Sequence, residues 1–163
     1  MNDSRNPPED TERPDALDAT RLAALAIDAL ERTAMVIADL VAEDEDPSLP
    51  PLEEAAFVEY DGPSRGRVWI AASDGFGTSV AASLLGIDPD EVPGDQAGAM
   101  LDELANILGG SIILELGGDD CPFRLGLPQR RATADRPSDH DATRVVLDAE
   151  GERLEIHWQN LAA

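Results

Sequence analysis

Ala99-Met-Leu-Asp-Glu103-Leu-Ala-Asn106-Ile-Leu-Gly109-Gly110 is the stretch on which the fold turns. Leu101, Leu104, Leu108 and Ile112 recur at spacings of three and four, the period of a helix with one buried face. The pattern predicts a helix from Asp95, placed as its N-cap, to about residue 116, ahead of Gly117-Gly118. Glu103 and Asn106 are three apart, so they share a face turned away from the apolar row. Ala99 lies four before Glu103 and Gly110 four after Asn106, so the exposed stripe reads small, Glu, Asn, small. An interior Asn costs about 0.5 kcal/mol relative to Ala, and each of the two glycines about 1 kcal/mol. Stability alone does not select this combination. Small residues on either side of Glu103 and Asn106 let another protein's backbone approach them closely.

Working outward, residues 18–42 carry two apolar rows, Leu22-Leu25-Ala29-Val36-Leu40 and Ile27-Leu30-Ala34-Ile37-Val41, and are predicted to form one long helix. The acidic run 43–46 and Pro47, Pro50 and Pro51 then end it. Residues 57–60 and 68–72 are β-prone and flank Asp61-Gly62-Pro63, which predicts an antiparallel pair. A second helix is expected over 75–85, with Gly86 at its C-terminal cap. Residues 123–127 read as a strand ending at Pro128, 129–141 as a polar loop, and 145–147 with 154–158 as a hairpin. Leu154, Ile156 and Trp158 share one face of that hairpin, and Glu155, His157 and Gln159 the other. Segregated runs of helices and strands predict an α+β fold with helices on a largely antiparallel sheet. The polar, proline-bearing segment 1–17 reads as a disordered acidic tail and 18–163 as a single domain.

Composition removes several function classes. The chain has 163 residues, 34 acids against 12 cations, and a formal charge of −22. Every cation is Arg and there is no Lys, which excludes Schiff-base and P-loop lysine chemistry. A nucleic-acid partner is not expected, because such binding needs a basic footprint. A membrane partner is not expected either, since there is no polybasic anchor and no apolar run of about 18 residues. Cys121 is the only cysteine, so no intrachain disulfide forms, and it reads as a small packed residue. Asp119-Asp120-Cys121 and His140-Asp141 lack ligand-spaced pairs, so no metal site is assigned. His157, beside Trp158, reads as structural. The chain is expected to be cytoplasmic.

At Glu103-Leu-Ala-Asn106 the sequence resembles the CheC/CheX/FliY group of chemotaxis phosphatases, most closely its CheX-type members. Pro128 follows Asn106 with 21 residues between, near the family spacing of Glu-x-x-Asn to Pro, and Gly110 falls where the family has Gly. Tyr60-Asp-Gly62, Gly66-Arg-Val68-Trp-Ile70 and Ala81-Ala-Ser-Leu84-Leu-Gly86 resemble the family's preceding strands and helix. Ala99 stands where the family often has Asp or Ser.

The resemblance implies a CheC-like fold with an internal pseudo-two-fold and hydrolysis of the phospho-aspartate of a CheY-like response regulator. It gives Asn106 the role of positioning the attacking water and Glu103 that of pairing with a lysine of the regulator. Ala99, Asp102, Gly110 and Pro128 are then expected at the partner surface, and a homodimer is expected. Magnesium would belong to the phosphorylated regulator, so no cofactor or metal is expected in this chain. The alternative is a non-catalytic module of the same fold that binds a receiver domain or another signalling protein. A faded second copy pairs Ala29 with Glu103 and Arg32 with Asn106. The acids are expected to crowd the tail and far faces, with Asp102 the exception near the site.

Overall fold

The computed structural model describes residues 16–42, 44–45 and 48–161. The tail 1–15 and part of the acidic run 43–46, with Pro47, lie outside the described residues. Leu17, read from sequence as the end of the tail, is buried, and its carbonyl accepts a hydrogen bond from Thr143 Oγ1 at 3.0 Å. The elements are α1 (Ala19–Ala34), β1 (Ala38–Leu40), β2 (Leu52–Asp61), β3 (Arg65–Ser73), α2 (Asp74–Leu85), α3 (Gly94–Gly117), β4 (Arg124–Leu125), β5 (Gln129–Arg131), β6 (Thr143–Ala149) and β7 (Glu152–Leu161). All pairings are antiparallel, in the order β1-β6-β7-β3-β2-β4, with β5 also on β2. The α+β expectation holds.

Alternation along the long strands separates two faces. Val58, Tyr60, Val68, Ile70, Leu147, Leu154, Ile156 and Trp158 join the helices in one core. Each such aliphatic side chain contributes roughly 1.5–3 kcal/mol on burial. The polar ends of two aromatics satisfy each other there: Trp158 Nε1 donates to Tyr60 Oη at 2.9 Å. Burial pushes the Tyr60 phenol above its ordinary pKa, while the Trp158 hydrogen bond opposes this.

The other face is not bare. Ala55, Phe57, Trp69 and Ala71 form a second small cluster. Beside it Glu155 and His157 are only 2% and 1% exposed. Arg144 donates to Glu155 through Nη2 at 2.9 Å and Nε at 3.2 Å, His157 Nε2 lies 3.3 Å away, and Arg136 and Arg153 approach within 3.7 Å and 3.6 Å. Burial opposes ionisation, yet the hydrogen bonds from His157 and Arg144 and their charges hold the Glu155 carboxyl down at about 2.

Four local expectations change. The first helix stops at Ala34, where Met35 takes a left-handed conformation (φ 52°) and its N–H bonds Leu30 O. The chain beyond it, rich in β-branched residues, supplies β1 to the β6 edge. Asp95 lies in the first turn of α3, and Pro93 is the N-cap. The 123–127 strand shrinks to β4, and the polar loop contains β5, an edge strand whose exposed Gln129-Arg130-Arg131 carries no apolar signal. Finally, α3 is long and apolar enough to cross a membrane by composition, contrary to the sequence reading, but about half of its apolar window is buried inside the fold. It is the central core helix.

Candidate functional site

The outer stripe of α3 is positioned by what its inner face touches. Leu101, Leu104, Ala105, Leu108 and Ile112 are buried. Three close approaches depend on glycine. A Cβ on Gly77 of α2 would collide with the Ala97 carbonyl of α3. One on Gly109 would lie 2.7 Å from Val58 Cγ1 and 2.9 Å from Leu125 Cδ1. One on Gly98 would collide with the Arg130 guanidinium. At the far side Arg21 of α1 grips Glu115 through Nε–Oε1 at 2.5 Å and Nη2–Oε2 at 2.6 Å, and this hydrogen bond holds the Glu115 carboxyl below its ordinary pKa.

On the stripe itself, Ala99, Glu103 and Asn106 are exposed and Gly110 is half-buried. A Cβ at Gly110 would meet nothing within 4 Å, so its smallness serves no contact in this chain. Neither Glu103 nor Asn106 has a hydrogen-bond or ion-pair partner among the described residues. A helix that spends a carboxylate and a carboxamide in this way leaves one acceptor pair and one donor–acceptor pair free for another molecule. Pro128 is half-buried at the sheet edge between β4 and β5.

Asp102 is one turn before Asn106 and is paired with Arg130, Nε–Oδ1 3.0 Å and Nη2–Oδ2 3.3 Å. Of the acids between Ala99 and Gly110, only Glu103 is therefore left unpaired. The anticipated relief of negative charge near Asn106 comes from an arginine that sequence reading missed. Arg130 is 28 residues from Asp102, in a stretch whose polar sequence predicts a loop; no periodicity joins them. Gly98→Ala should displace the guanidinium and uncover Asp102. Helix propensity gains about 1 kcal/mol and an exposed ion pair of about 0–1 kcal/mol is lost. The expected outcome is thermal stability within about 1 kcal/mol of wild type and a several-fold weaker partner affinity, checked by calorimetric melting and titration.

In the repeat register Ala29 is buried and Arg32 pairs with Asp28 at 2.6 Å. Helix α1 thus offers no second carboxylate–carboxamide pair. A concavity of about 920 Å³ is lined by Ala19, Leu40, Val41, Thr143 and Arg144 among others, and does not include Glu103 or Asn106. Cys121 is partly buried, with Sγ 3.8 Å from Ile113 O.

Unpartnered polar side chains on the exposed face of a helix suit a protein that works on the face of another macromolecule. The family described as Chemotaxis phosphatase CheX matches residues 55–150, more than half of the chain. The chain belongs to that family. Solved structures share the fold. A CheX from Desulfovibrio desulfuricans has a TM-score of 0.65 at 12% identity, covering 88% of this chain and 98% of that one. A CheX from Vibrio vulnificus has a TM-score of 0.64 at 14% identity, covering 85% and 96%. The structure of a CheX–CheY–BeF3–Mg2+ complex from Borrelia burgdorferi has a TM-score of 0.59 at 15% identity, covering 85% and 94%. No curated protein sequence matches at significance.

Proposed function

We propose that this chain hydrolyses the phospho-aspartate of a CheY-like receiver domain, with Asn106 and Glu103 as its working residues. The observation that carries the reading is the unpartnered Glu103/Asn106 pair on the exposed face of α3. Membership of the family and the Borrelia complex with CheY support it. Asn106 Oδ1 accepts a hydrogen bond from the attacking water, or Nδ2 donates one to its oxygen. The water oxygen bonds to phosphorus as the bond to the aspartyl oxygen breaks, releasing inorganic phosphate and restoring the carboxylate. Such a reaction depends chiefly on positioning and electrostatics. Glu103 pairs with a receiver lysine and fixes register. Magnesium stays with the receiver, and this chain supplies no ligand to it.

Ala99, Asp102 and Gly110 share α3 with the pair, and together with Pro128 they are read as partner-facing. The alternative, a receiver-binding module without turnover, draws on Ala99 in place of the family's Asp or Ser. The chain acts in the cytoplasm, where CheY-like regulators are. A homodimer is proposed through the β1 edge, where Ile37 and Leu40 are exposed.

The test is loss of the phosphoryl group from a receiver charged with acetyl phosphate. Faster loss with this protein than without it is expected; identical rates would end the enzyme reading. Glu103→Ala is expected to weaken receiver binding about tenfold, as loss of a charged interface pair does, with melting unchanged. Unaltered affinity would remove the proposed ion pair.

A further inference from the structure

We propose that Leu127 and Leu114 are the apolar anchors that hold the receiver on either side of the Glu103/Asn106 pair. The inference rests on the receiver-binding part of the reading above, and it adds residues that the motif does not contain.

The edge strand reveals the first anchor. Leu125 pairs with Tyr60 and Gln129 with Phe57, so four steps on one strand face three on the other. The surplus residue makes a bulge at 126–128, closed by Gly126 N–H donating to Glu59 O at 2.7 Å. Leu127 lies within this bulge. At 83% it is the most exposed of the large apolar side chains among the described residues. Its position along α3 follows from its neighbours. Leu125 rests against Gly109, and Arg130 lies across Gly98. Along the strand Leu127 falls between these two contacts, which puts it level with about residues 102–106 of α3.

Leu114 is the second anchor, 57% exposed. It lies eleven residues beyond Glu103, three helical turns, so it returns to the same side of α3. From Asn106 it is eight residues away, about 12 Å along the axis. A standard interface buries about 800 Å² per partner, a disc of radius about 16 Å. A footprint of that size centred on Asn106 reaches Leu114 and the stretch of edge strand that carries Leu127. A polar centre between fully desolvated apolar side chains is the arrangement that concentrates binding energy in a few residues. The open side of Gly110, between Asn106 and Leu114, leaves the receiver room to close down. The other exposed large apolar side chains, Met35, Ile37, Leu40, Leu84 and Leu85, lie on different elements.

The test uses the full chain and the CheY-type receivers of the same organism, loaded with beryllofluoride and magnesium. Affinities are measured for wild type, Leu127→Ser, Leu114→Ser and the double variant, with Leu127→Met as a conservative control. Turnover of the phosphorylated receiver and melting are followed in parallel. Each Ser variant is expected to weaken binding about tenfold, raise KM to match, and leave melting and kcat at saturating receiver within twofold. Leu127→Met should bind like wild type. A double variant that binds within twofold of wild type would overturn the proposal, even if turnover is normal. Anchored binding without turnover would support the anchors and defeat the phosphatase reading. Wild type that binds none of the receivers would overturn both.

Discussion

Asn106→Ala is expected to reduce receiver dephosphorylation by about 100-fold or more in kcat, the scale on which loss of reactant positioning is felt. Binding should change little, because Glu103 remains. Stability should rise slightly, by about 0.5 kcal/mol, since Ala is the better helix former and Asn106 makes no side-chain hydrogen bond among the described residues. The opposite movement of activity and stability is the diagnostic result. A residue kept for structure would lose both together. Stopped-flow turnover under saturating receiver, paired with a denaturant melt, reads both. A variant with wild-type kcat would show that the water is positioned by another group.

The second large effect lies on the opposite side of the molecule. Glu155→Gln is expected to cost about 3–5 kcal/mol, the range for breaking a buried ion pair, against a total stability of about 5–15 kcal/mol. It leaves His157 buried and Arg144, Arg136 and Arg153 without their shared carboxylate. The pH dependence follows from the direction of the shift. Folding lowers the Glu155 carboxyl from 4.5 to about 2, so its contribution is complete above the unfolded value and is lost as pH falls through the folded one. Wild type should therefore lose stability between about pH 5 and pH 2, and Glu155→Gln should lose less over that interval. Urea melts at neutral and acid pH check this. Equal acid sensitivity of the two proteins would remove Glu155 from the acid transition. Receiver turnover at low temperature should be spared, because Glu155 faces away from α3.

These two residues show what the sequence made legible. Asn106 could be found because it violates helix economy on a face whose phase the Leu101-Leu104-Leu108-Ile112 row had already set. Helix α2 and the β6–β7 hairpin were equally readable, the former from Gly86 and the latter from alternation. Glu155 was not, because a charged residue alternating with Leu154 and Ile156 looks solvated. Its burial depends on Arg136 and Arg144, distant in sequence. The end of α1 was hidden for a different reason: Met35 adopts a glycine-like conformation, and the apolar rows run through it unbroken. Strand β5 and the Asp102–Arg130 pair arise from register on β2, which periodicity does not encode. The candidate pair is thus local and visible in the sequence, whereas the charge pairing around it is tertiary.

Gly98 and Gly109 are eleven residues apart, close to three full turns, so both point at nearly the same azimuth. One is closed by Arg130 and the other by Val58 and Leu125. The Gly109 slot is closed by packed apolar side chains, whereas the Gly98 slot is closed by a guanidinium that can move. Rolling α3 about its axis by even one residue, 100°, would swing side chains into both slots, and sliding it would unseat both at once. The angular setting of Asn106 is mechanically indexed to the edge of the sheet. The backbone beneath Asn106 is thus preset by packing at Gly109 before a partner arrives, while the Arg130 side chain stays free to adjust.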